Sequence, residues 1–217
     1  MAWLKDGCVL WLQFDEEKGD VAYDQSGKGN NGNIHGATRV KGKIGGALSF
    51  DGVGDYVKVT HNSSLELVTD LSITAWINIL AHTEFRFIAF KGYGNKSRPY
   101  EFRTRPDGEL EFVLYNGGIH NYISLGSVPT NQWAYVVLTK KKGEKVKFYI
   151  NGVFDVERDE GNISPATGTD DLLIGTRADA YSYFNGNIDE VRVYNRALSA
   201  KEIFSHYMYA LTHVKRA

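Results

Sequence analysis

The chain has 217 residues, 42% of them hydrophobic and 24% charged, with 25 basic against 26 acidic side chains and a formal charge of −1. That length allows one large β domain or two small ones, and the apolar share can bury a core, which excludes a disordered chain. The even charge balance excludes a phosphate-tracking nucleic-acid binder, and the single cysteine, Cys8, excludes a disulfide scaffold or a four-thiolate zinc site.

The N-terminal residues carry no basic start followed by a long apolar run. The apolar stretch 8–12 falls far short of the roughly 20 residues a bilayer span needs, so no membrane insertion is expected. Strands are predicted at 9–14, 47–50, 56–60, 71–79, 85–90, 100–104, 109–115, 133–139, 146–150, 172–174 and 188–194. Turn signals at Asp51-Gly52, Asn116-Gly117-Gly118, Asn151-Gly152 and Asn185-Gly186 separate them. The clearest case is 71–79. There Leu71, Ile73, Ala75, Ile77 and Ile79 share one face, and Ser72, Thr74, Trp76 and Asn78 share the other. With no long helix between strands the pairing is antiparallel, and with no linker rich in Pro or Ser the chain reads as one domain over 1–217, two sheets packed face to face. A single short helix is predicted over 199–212, with Ser199 as N-cap and Glu202 completing a capping box; Ile203, Tyr207, Ala210 and Leu211 sit at helical spacing.

The turn Pro106-Asp107-Gly108 fixes a hairpin register. A three-residue loop with Gly108 left-handed pairs Arg105 with Glu109 and Arg103 with Glu111, and sets Phe102 opposite Phe112 on the other face. Glu109 and Glu111 then form a surface ion-pair ladder with arginines, which keeps both ionised and argues against acid–base work. Six scattered histidines show no metal-ligand spacing, the glycines of 27–32 precede no helix and so form no phosphate cradle, and Cys8 is read as a small buried thiol. No enzyme is expected from these residues.

Four segments, in order, resemble a known family: Leu12-Gln13-Phe14-Asp15-Glu16; Tyr23-Asp24-Gln25-Ser26-Gly27-Lys28-Gly29-Asn30-Asn31-Gly32; Gly45-Gly46-Ala47-Leu48-Ser49-Phe50-Asp51-Gly52-Val53-Gly54-Asp55-Tyr56-Val57; and Phe184-Asn185-Gly186-Asn187-Ile188-Asp189-Glu190-Val191-Arg192-Val193-Tyr194-Asn195-Arg196-Ala197-Leu198-Ser199. They look like the laminin-G-like (LamG type 3), concanavalin A-like jelly roll. The resemblance implies an all-β, antiparallel two-sheet sandwich of the jelly-roll type with one short C-terminal helix. It implies a non-catalytic, carbohydrate-binding or lectin-like module in an extracellular, cell-surface or virion-surface protein, as part of a longer chain. The alternatives are a protein-interaction, adhesion or virion structural module, and third a glycoside hydrolase. The glycosidase pattern Glu-x-Asp-x-x-Glu is incomplete, because position 114 is Leu. The resemblance also implies a structural Ca²⁺ held by Asp189, to which Asp15 and Asp51 are added here as companions; the other reading is that Asp51 only makes a turn and Asp189 caps a backbone kink.

A sugar site needs aromatic plates for the C–H face of a ring and a few polar groups for its hydroxyls. Three predicted loops offer both: 91–99 with Tyr93 and Arg98, 115–122 with Tyr115, His120 and Tyr122, and 177–185 with Arg177, Tyr181 and Tyr183. The other reading of these aromatics is that they fold over sheet edges as lids on the core. Trp76 is read as packing before a second plate, and Trp133 and Tyr149 as core. The partner is a glycan or a cell-surface protein, and an edge strand pairing between chains would give a dimer.

Overall fold

The computed structural model describes residues 4–93, 97–159, 163–178 and 182–212, the side chains of residues 93, 97 and 98 excepted. Its strands are β1 (Cys8–Leu12), β2 (Val21–Ala22), β3 (Gly32–His35), β4 (Thr38–Lys41), β5 (Gly46–Asp51), β6 (Tyr56–Val59), β7 (Leu71–Ile79), β8 (Arg86–Tyr93), β9 (Ser97–Thr104), β10 (Glu109–Tyr115), β11 (Ile119–Ser127), β12 (Ala134–Lys140), β13 (Val146–Ile150), β14 (Val153–Arg158), β15 (Leu172–Ile174) and β16 (Asn185–Tyr194), followed by helix α1 (Ala200–Thr212). The predicted strands all appear, and β2, β3, β4, β11 and β14 are additional. All five are short or half-exposed strands at or next to a sheet edge, with too little apolar alternation to declare themselves.

Two antiparallel sheets result. The first runs β14-β13-β12-β7-β16-β5-β4, with β1 also on β16, and the second β11-β10-β9-β8-β15-β6-β3-β2. The alternation in β7 works as the sequence predicts. Leu71, Ile73, Ala75, Ile77 and Ile79 enter the core between the sheets, where they meet Phe50, Val57, Phe102, Phe112, Phe148 and Ile188. Their neighbours face outward from the first sheet, but not into water. Helix α1 lies over that face, and its Tyr207 stacks on Trp76 at 5.6 Å between centroids, leaving Trp76 2% exposed. Trp76 is therefore packing, as are Tyr149 and the half-buried Trp133.

The helix starts as predicted. The Glu202 carboxylate accepts the Ser199 N–H at 2.8 Å, and the Ser199 hydroxyl oxygen accepts the Glu202 N–H at 3.3 Å. Leu211 was expected on the packed face but stands largely exposed, and His206 is buried instead, its Nδ1 3.2 Å from the Tyr135 hydroxyl. The 105–109 hairpin also holds: Glu111 pairs with Arg103 and Phe112 with Phe102. Gly108 takes φ +86°, the left-handed turn position that a side chain would resist.

One flank, where β11 and β14 bring the edges of the two sheets together, is closed by side chains. The Asp155 carboxylate accepts the Leu125 and Gly126 N–H groups, both at 2.8 Å, and Arg158 Nε donates to the Ile123 carbonyl at 2.7 Å.

Burial, with the Arg192 charge adding to it, pushes the His206 imidazole down to about 3. The unfolded chain binds a proton there below about pH 6.5 and the folded chain does not, so stability should fall as pH drops from 6.5 towards 3. The slope expected from this residue is on the order of 1.4 kcal/mol per pH unit below ~6. Urea unfolding at pH 7, 6, 5 and 4 checks it: the acid slope should flatten in His206→Gln, and an unchanged slope would refute the assignment.

Candidate functional site

The first sheet has no free outer face near its centre, since α1 covers it. The second sheet does. Strand parity sends Val57 and Val59 of β6 into the core and turns Tyr56 and Lys58 outward, and sends Leu172 and Ile174 of β15 inward and Leu173 outward. Because Leu173 pairs with Lys58 on one side and Phe90 on the other, these residues share one surface. A cavity of about 530 Å³ opens there, lined by Tyr56, Lys58, Asp170, Asp171, Arg177 and Tyr183 among others. That volume lies within the usual range for a small-ligand site.

Local backbone geometry holds the wall of this cavity in place. Thr176 bridges Tyr183, and the Phe184 N–H donates to the Gly175 carbonyl at 2.7 Å, so the segment leaves and rejoins the sheet at adjacent points. Arg86 Nη1 then donates to the Tyr183 carbonyl at 2.7 Å, and the Ser182 hydroxyl to the Phe85 carbonyl at 2.5 Å. Tyr56 is flanked on the neighbouring strand by His35, its ring stacked at 4.4 Å and 15°. Lys58 Nζ sits 2.8 Å from Asp171 Oδ2, and Asp171 Oδ1 accepts the His61 N–H at 2.8 Å. Hydrogen bonding to Asp171 raises the Lys58 ammonium. The Asp171 carboxyl is held below its ordinary value by Lys58 and the His61 N–H, against the burial that opposes them.

Of the residues singled out from sequence, Arg177 and Tyr183 meet at this cavity. Tyr181 and the side chains of Tyr93 and Arg98 lie outside the described residues; the backbone of Gly92, next to Tyr93, lines the cavity. The segment 115–122 is a correction. It is the β10–β11 hairpin and not a long loop, and Tyr122 is 6% exposed with its ring packed on Phe112 at 6.1 Å. Tyr115, His120 and Tyr122 belong to strands at the far end of the sheet, three or more strand positions from β15, about 14 Å or further. Tyr56, Lys58, Asp170 and Asp171 were missed.

The ion-pair ladder has the predicted partners but is not on the surface. Glu111 is buried and meets Arg103 at 2.7 Å, and Arg103 also contacts the buried Glu101 at 2.5 Å. The Arg103 guanidinium lies 4.0 Å from the centre of the Phe85 ring, which caps it. Only Arg105 and Glu109, at the hairpin end, are half-exposed. A guanidinium thus bridges the two carboxylates beneath an aromatic lid.

Of the three expected metal ligands, Asp189 and Asp15 approach one turn and Asp51 stands apart. Asp189 is buried in β16; its Oδ2 accepts the Ile44 N–H at 2.9 Å and its Oδ1 has no hydrogen-bond partner. Burial, with the nearby Glu190 and Asp15 charges, pushes it up to about 9. Asp15 approaches the same turn, its Oδ1 accepting the Gly46 N–H at 2.7 Å. A Cβ on Gly45 would come within 2.1 Å of that oxygen. Asp51 does not join them. It lies opposite Asn185, four residues or about 13 Å along β16, and its Oδ1 makes a turn by accepting the Val53 N–H at 2.6 Å. Among the described residues no group of three or more His, Cys, Asp or Glu side chains is placed to hold a metal. The unpartnered buried Oδ1 of Asp189, with Asp15 at the same turn, still fits a hard cation.

Replacing Arg103 by Met would remove the buried guanidinium that Glu101 and Glu111 share. A loss of about 3–5 kcal/mol is expected from urea unfolding at pH 7.

Comparison with known proteins places this geometry. The chain is 24% identical over 229 residues to botulinum neurotoxin type F of Clostridium botulinum, matching 94% of this chain but only 17% of the toxin. Domain 4 of AbnA, a GH43 extracellular arabinanase from Geobacillus stearothermophilus solved in complex with arabinotriose, superposes with a TM-score of 0.75 at 20% identity, over 91% of this chain and 97% of that domain. The binding domain of Paraclostridial Mosquitocidal Protein 1 gives 0.74 at 17% identity, over 94% of this chain and 52% of that one. The chain therefore spans about half of the toxin binding domain and a small part of the whole neurotoxin, and likeness at these identities establishes the fold. The family model of the concanavalin A-like lectin/glucanases superfamily, Laminin_G_3, matches residues 51–204, and the chain belongs to that superfamily.

Proposed function

We propose that this chain is a non-catalytic binding module of a secreted or surface-displayed protein, and that it holds a carbohydrate in the cavity between Tyr56 and Tyr183. The observation that carries this reading is the pairing, in one hollow, of two tyrosine rings with the Lys58–Asp171 ion pair, Asp170 and Arg177. Aromatic faces suit the C–H side of a sugar ring, and fixed donors and acceptors suit its hydroxyls. Arabinotriose bound to a domain of the same fold supports it, as does the likeness to toxin binding domains. The absence of chemistry is supported by the Arg103 bridge. An acid and a base for glycoside hydrolysis must differ in protonation and reach the substrate, whereas Glu101 and Glu111 share one guanidinium out of solvent.

A second reading, a protein partner, is favoured by one observation. Phe204, Met208 and Leu211 form an exposed stripe on α1, and Val153 and Phe154 stand exposed on β14 beside it.

Calorimetric titration with a panel of short oligosaccharides separates the two. One sugar should bind, and Tyr183→Ala or Lys58→Ala should weaken it by roughly tenfold or more, at unchanged melting temperature. If no sugar binds while a protein is retained through the α1 face, the second reading replaces the first.

A calcium ion, if it is part of the module, would be held by Asp189 and Asp15. It would supply the positive charge that keeps Asp189 ionised, tying the 42–46 turn to β16 as a staple. Millimolar CaCl₂ should raise the melting temperature by a few degrees relative to EDTA, and Asp189→Asn should abolish the difference. Equal melting in both buffers would exclude the ion.

A further inference from the structure

We infer that the cavity selects neutral, hydroxyl-rich sugars and discriminates against acidic ones such as sialylated glycans and uronates; the inference rests on the carbohydrate reading above. Its basis is the charge pattern of the described lining, where two cations, Lys58 and Arg177, face two carboxylates, Asp170 and Asp171. Lys58 is committed to Asp171 at 2.8 Å. Arg177 is only 8% exposed and is itself engaged. A third cation close by, Lys91, is buried, and its ammonium donates to the Asp170 carbonyl at 2.5 Å and lies 3.2 Å from His61 Nδ1. It is spent behind the cavity wall.

Recognition of a sugar carboxylate relies on an arginine fork or an ammonium free to meet it. Here an incoming carboxylate would have to compete with Asp171 for Lys58 while lying beside the negative charge of Asp170. A neutral hydroxyl meets neither obstacle, because it donates and accepts at once. Two adjacent hydroxyls can donate to a carboxylate and accept from the ammonium that pairs with it, and the ion pair need not open. Tyr56, stacked on His35, and Tyr183 supply apolar plates, and Leu173 and Ala178 continue that surface. A charge-balanced lining thus rejects the acidic ligand through the repulsive half of each pair, not through shape.

Calorimetry on the full chain with arabinotriose, maltotriose, sialyllactose and trigalacturonate, at ~20 and ~500 mM NaCl, tests this, since salt screens charge pairing and leaves neutral contacts alone. A neutral trisaccharide is expected to bind with a Kd that changes less than about twofold across that range, and both acidic ligands about tenfold or more weaker. Asp171→Asn keeps an acceptor for the His61 N–H but frees Lys58. It should gain salt-sensitive binding of an acidic ligand and lose affinity for the neutral one, whereas Lys58→Met should lose the neutral ligand and gain nothing. Sialyllactose or trigalacturonate binding as tightly as the neutral sugars, and weakening with salt, overturns the selectivity while leaving the carbohydrate site standing. Failure of all four sugars, with the fold intact by its melting curve, overturns the carbohydrate reading and this inference together.

Discussion

The strand pair β7–β16 must lose water from both of its faces, and the rest of the molecule is arranged around that requirement. One face of β7 is aliphatic and is satisfied by the second sheet; the other carries Trp76 and is satisfied by α1. Strand β16 makes the double coverage work by changing neighbours partway. Its first half pairs with β5 and its second with β1, and at the change Glu190 adopts φ +53° in a bulge. The bulge turns adjacent acidic side chains in different directions. Asp189 faces the 42–46 turn, and Glu190 enters the layer beneath α1, where it meets Arg192 and accepts the Trp11 indole N–H at 2.8 Å. Covering the first sheet in this way leaves the second sheet as the one with an outer face to offer a ligand.

That outer face is itself divided. Towards β9 and β10 it is filled, with Phe85, Phe87 and Phe90 closing over Arg103 and its two glutamates. Towards β6 and β15 it is hollow. Acids that could in principle work on a glycoside are held as buried structural charges, while the acids that do reach solvent, Asp170 and Asp171, lie beside a lysine at the cavity wall. The division follows from side-chain volume: phenylalanine occupies the positions where β8 faces outward, and Leu173 and Lys58 leave room alongside.

Much of the scaffold is readable locally. Alternation over 71–79, the Pro106-Asp107-Gly108 turn and the Ser199–Glu202 capping box are short-range signals, and each specifies its element with no knowledge of the rest. The half-exposed strands are not readable that way. Gly32–His35 and Thr38–Lys41 are mixed polar segments that become strands because a neighbour supplies hydrogen bonds. The same limit misplaced 115–122, whose glycines and aromatics suit a binding loop as well as a hairpin, until pairing with Phe112 turns Tyr122 inward. Of the site, Arg177 and Tyr183 stood out as charge and aromatic in one loop. Tyr56 and Lys58 could be seen to face away from Val57 and Val59, but only the β6–β15 pairing, between segments far apart in sequence, sets them beside Asp171 and gives them a use.

Sandwiches are vulnerable where their sheets end, because unpaired backbone groups there invite another chain to continue the ladder. On the flank of β11 and β14 the two margins cancel one another: one carboxylate occupies two amides and one guanidinium occupies a carbonyl, so side chains finish what a further strand would have supplied. A module sealed in this manner can stand beside copies of itself, or beside unrelated neighbours in a long polypeptide, without zipping onto them along that margin.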